Sequence, residues 1–170
     1  MRLLVSSPAF LPNLGGLEVV TAQLANLWAE AGHDVAVVTR TAGPEQSEPY
    51  RVLRDPSPIR LLGEMRRCDL YCQQNLSLKE AWPLLLVRRP WVVTHHSWYT
   101  QTDGRITWRD QLKRELSRRA DRSIAVSGAV AAEAARLRGE LVTDVELALA
   151  KRKIEADHLL GQQGVAQRAN

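Results

Sequence analysis

The chain has 170 residues, of which 45% are hydrophobic and 25% are charged, and its formal net charge is +4. That length suits one domain of about 100–200 residues, and the balance is that of a globular protein, which excludes a mostly disordered chain, a collagen-like chain and a coiled-coil rod. The longest apolar run, Ala81 to Val87, contains Pro83 and is far shorter than the roughly 20 residues that a membrane-spanning helix needs.

Charge and cysteine content add two expectations. Residues 1–85 carry 8 Lys/Arg against 9 Asp/Glu, a net −1, whereas residues 86–170 carry 15 against 10, a net +5. A basic second half is a weak indication of an anionic partner. The two cysteines, Cys68 and Cys72, do not suggest a disulfide scaffold, so we expect a cytoplasmic protein.

The first forty residues have the pattern of a βαβ unit. Apolar runs at Leu3–Ser6 and Val35–Thr39 predict buried strands, and a Pro-, Asn- and Gly-rich loop extends from Pro8 to Gly16. Apolar residues at helical spacing predict a helix whose buried face contains Leu17, Val20, Leu24, Leu27, Trp28 and Ala31. Gly32 is expected to end that helix. Because the strands have no alternating polar face, the expected fold is α/β, with a mostly parallel sheet covered on both sides.

The same pattern continues to about residue 137. Further strands are predicted at Tyr50–Leu53, Leu70–Cys72, Trp91–Thr94 and Ser123–Val126. Helices are predicted at Ile59–Arg67, at Leu76–Val87 with an interruption near Pro83, at Trp108–Ala120, and from Gly128 to about Leu137; Trp98–Ile106 is predicted to be a loop. We expect residues 1–137 to form the domain and residues 138–170 to form a helical extension, helix-prone over Glu140–Leu160, with a frayed tail.

The glycine-bearing loop is the first candidate site. It follows a strand and precedes a helix N-terminus, whose free N–H groups and dipole favour an anion. Gly15 and Gly16 would let a phosphate approach the backbone closely. A plain tight turn is the favoured alternative from spacing alone, since the loop matches neither G-x-G-x-x-G nor a Walker loop. Its position favours function, because ligands of open α/β sheets bind at the carboxyl ends of the strands.

His95 and His96 end a predicted strand at the same edge of the sheet. Neighbouring strand residues point to opposite sides, so only one of the two histidines is expected to face the crevice. There it could donate a hydrogen bond or move a proton. The alternative is a histidine satisfied by backbone groups. The cysteines and the remaining histidines lack zinc spacing, so no metal site is expected.

Ser127 and a basic helix complete the candidates. Ser127 precedes a helix and either caps it or touches a ligand, and no Gly-x-Ser-x-Gly supports a hydrolase nucleophile. The helix that Trp108 opens carries Arg109, Lys113, Arg114, Arg118 and Arg119. A solvated face is the default interpretation, and an interface on anionic lipid headgroups is the functional alternative. No recognised motif supports nucleic-acid binding.

Four segments, taken in order, resemble the N-terminal domain of the family 4 glycosyltransferases, which have the GT-B architecture. Pro8–Glu18 resembles the family's opening loop, and Leu24–Val35 resembles its "LA..L...GH.V" helix and strand, with Trp28 in place of a leucine. Trp91–His96 resembles its strand ending in histidine, and Ala120–Ser127 its "AD.ii.vS" strand. The resemblance covers residues 1–137 and implies a Rossmann-like three-layer domain that forms one half of a GT-B cleft.

The resemblance also implies an activity. A sugar would pass from a nucleotide diphosphate sugar, with retention, to a glycan or lipid-linked acceptor, as in glycan or lipopolysaccharide biosynthesis, without a metal ion or other cofactor. Gly15 and Gly16 would bind the donor diphosphate, His96 would act at the reacting centre, and Ser127 and Asn13 would line the acceptor side. His95 would face the packed side. The basic helix would rest on an anionic membrane, at its inner face.

The sequence also departs from the family pattern. The E-x7-E segment and the Pro-Asn-Gly stretch that follow in the family are not found after Ser127, and Ser97 stands where an acidic residue or a glycine is frequent. We therefore expect a truncated form that is inactive alone and needs a C-terminal donor-binding domain. Two alternatives stay open: a non-catalytic acceptor- or membrane-binding module derived from a glycosyltransferase, and an unrelated nucleotide-binding Rossmann domain, against which the weak glycine pattern counts.

Overall fold

A computed structural model of the protein describes residues 1–44, 49–96 and 108–138. The strands in these ranges are β1 (Arg2–Ser7), β2 (Asp34–Thr39), β3 (Arg51–Arg54), β4 (Leu70–Gln74), β5 (Trp91–His95) and β6 (Arg122–Ala125). The helices are α1 (Gly16–Glu30), α2 (Pro58–Arg67), α3 (Leu78–Ala81), α4 (Trp108–Ser117) and α5 (Gly128–Arg138), and a 3₁₀ turn at Trp82–Leu85 follows α3.

The six strands form one sheet in the order β3-β2-β1-β4-β5-β6, and every neighbouring pair is parallel. The order reverses between β1 and β4, where Leu4 lies beside Ala36 on one side and Tyr71 on the other. This is the doubly wound, Rossmann-like arrangement, so the predicted α/β class is confirmed. All strand carboxyl ends lie at one edge, which we call the carboxyl edge; the opposite edge is the amino edge.

Helices cover both faces of the sheet. The side chains of α2, α3 and α4 pack with strand residues in one core, which includes Leu4, Val38, Met65, Tyr71, Ala81, Val93 and Leu116. The side chains of α1 pack with strand residues on the other face, in a core that includes Val5, Ala22, Ala25, Val37 and Cys72. Because neighbouring strand residues point to opposite faces, Leu4 and Val5 are both buried, on different sides of β1.

The helix α1 lies where it was predicted, but its buried face differs from the expected one. Its fully buried side chains are Thr21, Ala22 and Ala25. Val20 and Leu27, expected inside, are 40% and 59% exposed. Small side chains in the middle of the contact let the helix backbone approach the sheet closely, so that large apolar side chains fit only at its flanks. Trp28 packs against the core as predicted, so the predicted apolar stripe was correct at that residue and wrong at Val20 and Leu27.

The end of α1 follows the prediction. Gly32 has a φ of 82°, a left-handed conformation that glycine adopts without cost. The His33 N–H donates to the Trp28 carbonyl at 3.0 Å, and the Gly32 N–H donates to the Ala29 carbonyl at 2.9 Å. These two bonds satisfy carbonyl groups in the last turn of the helix.

The segment after β4 is less regular than a single helix. Only Leu78–Ala81 is α-helical, and a 3₁₀ turn follows over Trp82–Leu85, because Pro83 has no N–H to continue the α-helical pattern. No helix within 1–44, 49–96 or 108–138 is both long enough and apolar enough to cross a membrane. The predicted loop at Trp98–Ile106 and residues 139–170 of the predicted extension and tail (138–170) lie outside the described residues.

Candidate functional site

The carboxyl edge brings the sequence-predicted residues to one side of the sheet. The glycine-bearing loop follows β1, the two histidines end β5, and Ser127 follows β6. Between β1 and β5 lies β4, which ends in Gln74 and is followed by Asn75. The reversal of strand order between β1 and β4 makes this the edge where an open α/β sheet forms its crevice.

The loop before α1 leaves the helix N-terminus without a side-chain cap. Gly15 is the N-cap residue in an extended conformation, and no side chain accepts from the first turn of α1. Gly16 is exposed, and a Cβ at Gly16 would meet no atom of the described residues within 4 Å. A Cβ at Gly15 would lie 2.5 Å from Glu18 Oε2, which places the Glu18 carboxylate beside Gly15. An anion would therefore meet an open backbone at Gly16 and a negative charge at Gly15.

Asn13 lies in the same loop and is exposed. Its backbone N–H donates to the Phe10 carbonyl at 3.2 Å and closes a turn. Phe10 is buried, with its ring edge on Tyr50 at a centroid distance of 6.3 Å. The loop is therefore anchored in the core through Phe10 and presents Asn13 and the glycines outward.

His96 is held at both its ring and its backbone. Nε2 lies 2.7 Å from Gln74 Oε1, and the backbone N–H donates to Asn75 Oδ1 at 2.7 Å. Asn75 has a φ of 64°, and its own N–H donates to the Thr94 carbonyl at 2.7 Å. Asparagine tolerates this left-handed conformation better than most residues. The imidazole is half-buried, and burial lowers its pKa.

His95 points away from His96 into the protein. It is 1% exposed, and Nε2 lies 2.7 Å from Ser123 Oγ. Its carbonyl accepts from the Val126 N–H at 3.1 Å, a bond that joins β5 to the residue after β6. As expected from strand alternation, only one of the two histidines is available at the edge, and it is His96.

Ser127 acts as a helix cap. Its Oγ accepts from the Val130 N–H at 3.3 Å, in the first turn of α5, and its carbonyl accepts from the Ala131 N–H at 2.9 Å. The side chain is exposed at the carboxyl edge. Capping was one of the two roles considered for this serine; contact with a ligand stays a prediction.

Sequence reasoning missed a polar cluster formed by residues that follow β2 and β3 and by Glu80 of α3. Arg40 Nε donates to Glu80 Oε1 at 2.8 Å, and Arg40 Nη1 donates to Asp55 Oδ1 at 2.8 Å. The Glu80 side chain is 4% exposed, whereas that of Asp55 is 72% exposed. The Tyr71 hydroxyl donates to the Glu80 carbonyl at 3.3 Å.

Two sequence signals could have revealed the missed residues. Gln73 and Gln74 end a strand that is otherwise apolar, and buried amides at a strand end need partners. Ser77 and Glu80 have the S-x-x-E spacing of a capping box, but Ser77 makes no side-chain cap and Glu80 turns to Arg40 instead. The S-x-x-E pattern therefore supplies a carboxylate that pairs with Arg40 and does not mark a helix cap.

The basic helix runs across the face of the domain rather than along the carboxyl edge. The Asp121 N–H donates to the Trp91 carbonyl at 2.9 Å, which places the end of this segment beside the start of β5. Arg118 and Arg119 therefore lie toward the amino edge, and Trp108 lies at the other end of α4. Arg109 lies 5.4 Å above the Trp108 ring, in cation–π geometry.

Burial divides the basic residues of this helix. Arg109, Arg118 and Arg119 are exposed, whereas Lys113 and Arg114 are half-buried. Arg118 also pairs with Glu115 at 3.3 Å. Trp108 and Leu112, one helical turn apart, are 68% and 42% exposed. The outer surface of α4 is therefore both basic and apolar.

A cavity lies away from the carboxyl edge. A cavity of about 350 Å³ opens at the amino edge, where Arg51 pairs with Glu64 at 3.4 Å and with Asp34 at 3.6 Å. Its lining comes from the starts of β1, β2 and β3 and from the end of α2, so it shares no residue with the carboxyl edge. Among the described residues, no three His, Cys, Asp or Glu side chains are grouped so that they could hold a metal ion.

Comparisons with known proteins point to one family. The model of the family described as Glycosyltransferase Family 4 matches residues 14–145. The match includes Gly15, Gly16, His96 and Ser127 and begins one residue after Asn13. No match is found among curated proteins. Among solved structures, a DNA/pantothenate metabolism flavoprotein from Streptococcus pneumoniae is similar at 12% identity with a TM-score of 0.45, covering 74% of this chain and 80% of its own.

Proposed function

The chain belongs to glycosyltransferase family 4, and we propose that it forms the acceptor-side half of a retaining glycosyltransferase. In this proposal, a sugar passes from a nucleotide diphosphate sugar to a glycan or lipid-linked acceptor. The observation that carries the proposal is the family match over residues 14–145, which includes the uncapped glycine turn and the histidine of the carboxyl edge.

We assign the donor diphosphate to the start of α1. The Gly16 N–H belongs to an uncapped first turn, and Gly16 is exposed. Backbone N–H groups and the helix dipole favour phosphate there. The Glu18 carboxylate beside Gly15 opposes an anion, so Gly16 is the better candidate of the two glycines.

We assign His96 to the reacting centre and Asn13 and Ser127 to the acceptor side. All three lie at the carboxyl edge, and neither Asn13 nor Ser127 is buried. Exposed amide and hydroxyl groups can hydrogen-bond to the hydroxyl groups of a sugar acceptor. No metal ion or other cofactor enters this proposal.

Substitution of Gly16 tests the diphosphate site. Proline is tolerated at the first position of a helix and would remove only the Gly16 N–H, and the extended backbone of Gly15 is the conformation that a following proline requires. Gly16→Ala is the matched control, because its methyl group would enter open space and the N–H would remain. We expect Gly16→Pro to weaken binding of a UDP- or GDP-sugar about tenfold or more, and Gly16→Ala to leave it unchanged.

The measurement is a nuclear magnetic resonance titration of the purified chain with UDP-glucose, GDP-mannose and NAD. Shifts of the Gly16 amide and the His96 ring with a sugar nucleotide support the proposal. Equal affinities of the two Gly16 variants, or shifts with NAD alone, would contradict it. We also expect the 170 residues alone to transfer little or no sugar, since they form one wall of a two-domain cleft; efficient transfer by the purified chain would overturn that expectation.

A peripheral contact with an anionic membrane is a second proposal, favoured by the surface of α4. The exposed Trp108 and Leu112 side chains lie beside basic residues, which is typical of helices that rest on lipid headgroups. Each Lys or Arg near such a surface contributes about 1 kcal/mol. The double change Arg109→Glu and Arg119→Glu should therefore lower binding to anionic vesicles more than tenfold.

The matched control is the double change Arg66→Glu and Arg67→Glu on α2, which alters the net charge equally on another helix. It should keep most of the vesicle binding in a co-sedimentation assay. Equal losses in the two double variants would show that only net charge matters and would refute a specific contact through α4.

A further inference from the structure

The imidazole of His96 has one defined ring partner at the carboxyl edge. Nε2 lies 2.7 Å from Gln74 Oε1. Gln74 is the last residue of β4 and is 1% exposed, so its side chain is held in place by its surroundings. An amide oxygen can only accept a hydrogen bond, and so Nε2 must carry the proton that this contact uses.

The other ring nitrogen is left to accept. Within the ranges that the structure describes, no hydrogen bond to His96 Nδ1 is present. With the proton on Nε2, a neutral imidazole keeps a lone pair on Nδ1. Burial lowers the pKa of His96, which favours this neutral form near pH 7.

The backbone is fixed independently of the ring. The His96 N–H donates to Asn75 Oδ1, and Asn75 is bonded in turn to the Thr94 carbonyl. Residues at the end of β4 therefore set both the position of the His96 main chain and the orientation of its ring. The hydrogen bond that one ring nitrogen makes determines which nitrogen of a histidine is protonated.

From this geometry we propose that Gln74 is a positioning residue, which holds His96 as the Nε2–H tautomer and directs Nδ1 to accept a hydrogen bond from a sugar hydroxyl. The tautomer assignment stands on the Gln74 contact alone, and the hydroxyl ligand rests on the proposed function. A neutral nitrogen that accepts cannot donate to a phosphate oxygen. The assignment therefore gives His96 to a hydroxyl group and leaves the diphosphate to the start of α1.

The experiment measures the ¹⁵N resonances of the His96 ring in the labelled chain, which distinguish the two neutral tautomers. Three variants accompany the wild type. Gln74→Met removes the acceptor with a side chain of similar length, and Gln74→Glu keeps an acceptor and adds a negative charge. Gln73→Met is the matched control, because Gln73 is a buried amide on the same strand that donates to the Ser77 carbonyl at 2.8 Å instead of contacting His96.

At a pH above the pKa of each ring, we expect the Nε2–H tautomer in the wild type, in Gln73→Met and in Gln74→Glu, and a mixture in Gln74→Met. The carboxylate of Gln74→Glu should also raise the pKa of His96 by about one to three. An Nδ1–H tautomer in the wild type, or an unchanged ring spectrum in a folded Gln74→Met variant, would overturn the proposal. If Gln74→Met fails to fold, the wild-type tautomer and the Gln74→Glu titration decide the matter.

Addition of UDP-glucose, GDP-mannose or a simple glycoside separates this inference from the proposed function. A shift confined to Nδ1 in the presence of a sugar supports both. The expected tautomer with no response of Nδ1 to any of these sugars supports the positioning role of Gln74 and contradicts the hydroxyl ligand and the site of the proposed function.

Discussion

At the scale of single residues, His95 and His96 have different surroundings although they are adjacent in the sequence. His95 is buried on Ser123, and His96 lies at the carboxyl edge on Gln74. Strand alternation explains the opposite directions. The partners come from different strands, and neither is close to the histidines in the sequence. Strand alternation therefore selects His96 as the histidine at the carboxyl edge. The contact that we propose to set its tautomer comes from Gln74, 22 residues away in the sequence.

The buried cysteines provide a test at this scale. Burial raises the pKa of Cys72 to about 12 and that of Cys68 to about 11, against an ordinary value of 9.0. The folded state thus favours the neutral thiols, and this contribution to stability is complete below pH 9 and lost as the pH rises toward the folded pKa values. We expect thermal stability to fall from pH 8.5 to 10.5, and the fall to be smaller in Cys68→Ala/Cys72→Ala.

The thiols should also be protected from alkylation. Because the thiolate is the nucleophile, iodoacetamide at pH 8 should modify both cysteines in urea and neither in the folded chain on the same timescale. Rapid labelling of the native protein would contradict the burial of these side chains.

At the scale of elements, α3 is tied to the end of β2 through Arg40 and Glu80. Glu80 is buried and its oxygen accepts from Arg40 Nε, whereas Asp55 is mostly exposed. Arg40→Met would leave the Glu80 carboxylate buried without a cation and should cost about 1–3 kcal/mol. Asp55→Asn should cost less than about 1 kcal/mol, because exposed ion pairs contribute little.

Urea denaturation of the two single variants and of Arg40→Met/Glu80→Leu measures these differences. The double variant should be more stable than Arg40→Met, since it no longer buries an unpaired carboxylate. Similar losses for Arg40→Met and Asp55→Asn would show that the burial of Glu80 has no energetic consequence.

The packing of α1 is a second test at the level of elements. Ala25 is 0% exposed against the sheet, and Leu27 is 59% exposed. Ala25→Leu should overpack this contact and destabilise the fold by about 1–3 kcal/mol. Leu27→Gln should change stability by no more than about 0.5 kcal/mol. If urea denaturation showed a larger loss of stability in Leu27→Gln than in Ala25→Leu, it would support the buried face that helical periodicity alone predicts.

At the scale of the whole molecule, the sheet is least accessible at its centre. The residues of β1 after Arg2 are buried, and β4 is buried from Tyr71 to Gln74. The residues of the edge strand β6 alternate between exposed and half-buried, with Ile124 at 52% exposure. Native-state opening follows burial and contact density, so stability against opening should fall from β1 and β4 toward β6.

Amide hydrogen exchange of the chain would measure this gradient. The slowest amides should belong to β1 and β4, and those of β6 should exchange faster. Uniform protection across the sheet would mean that the domain opens only as a unit and that edge exposure does not lower local stability.

The sequence by itself determined the order and type of the described elements. Uninterrupted apolar runs predicted parallel strands, and a change to helical period predicted α1, because both depend only on neighbours within one element. The positions of Gly16, His96 and Ser127 at the strand ends followed from the same reasoning, whereas the family resemblance rested on four sequence segments matched in order.

Only the tertiary structure decided which side chains meet at those ends. The partners of His96 and Arg40 lie 15 to 40 residues away in the sequence, and no local period encodes such contacts. The buried face of α1 likewise depended on how closely the helix lies on the sheet, which favours Ala22 and Ala25 over larger side chains. Local periodicity thus specifies the helices and strands. Close packing and the pairing of buried polar groups involve side chains from different elements, and only the folded chain brings these side chains together.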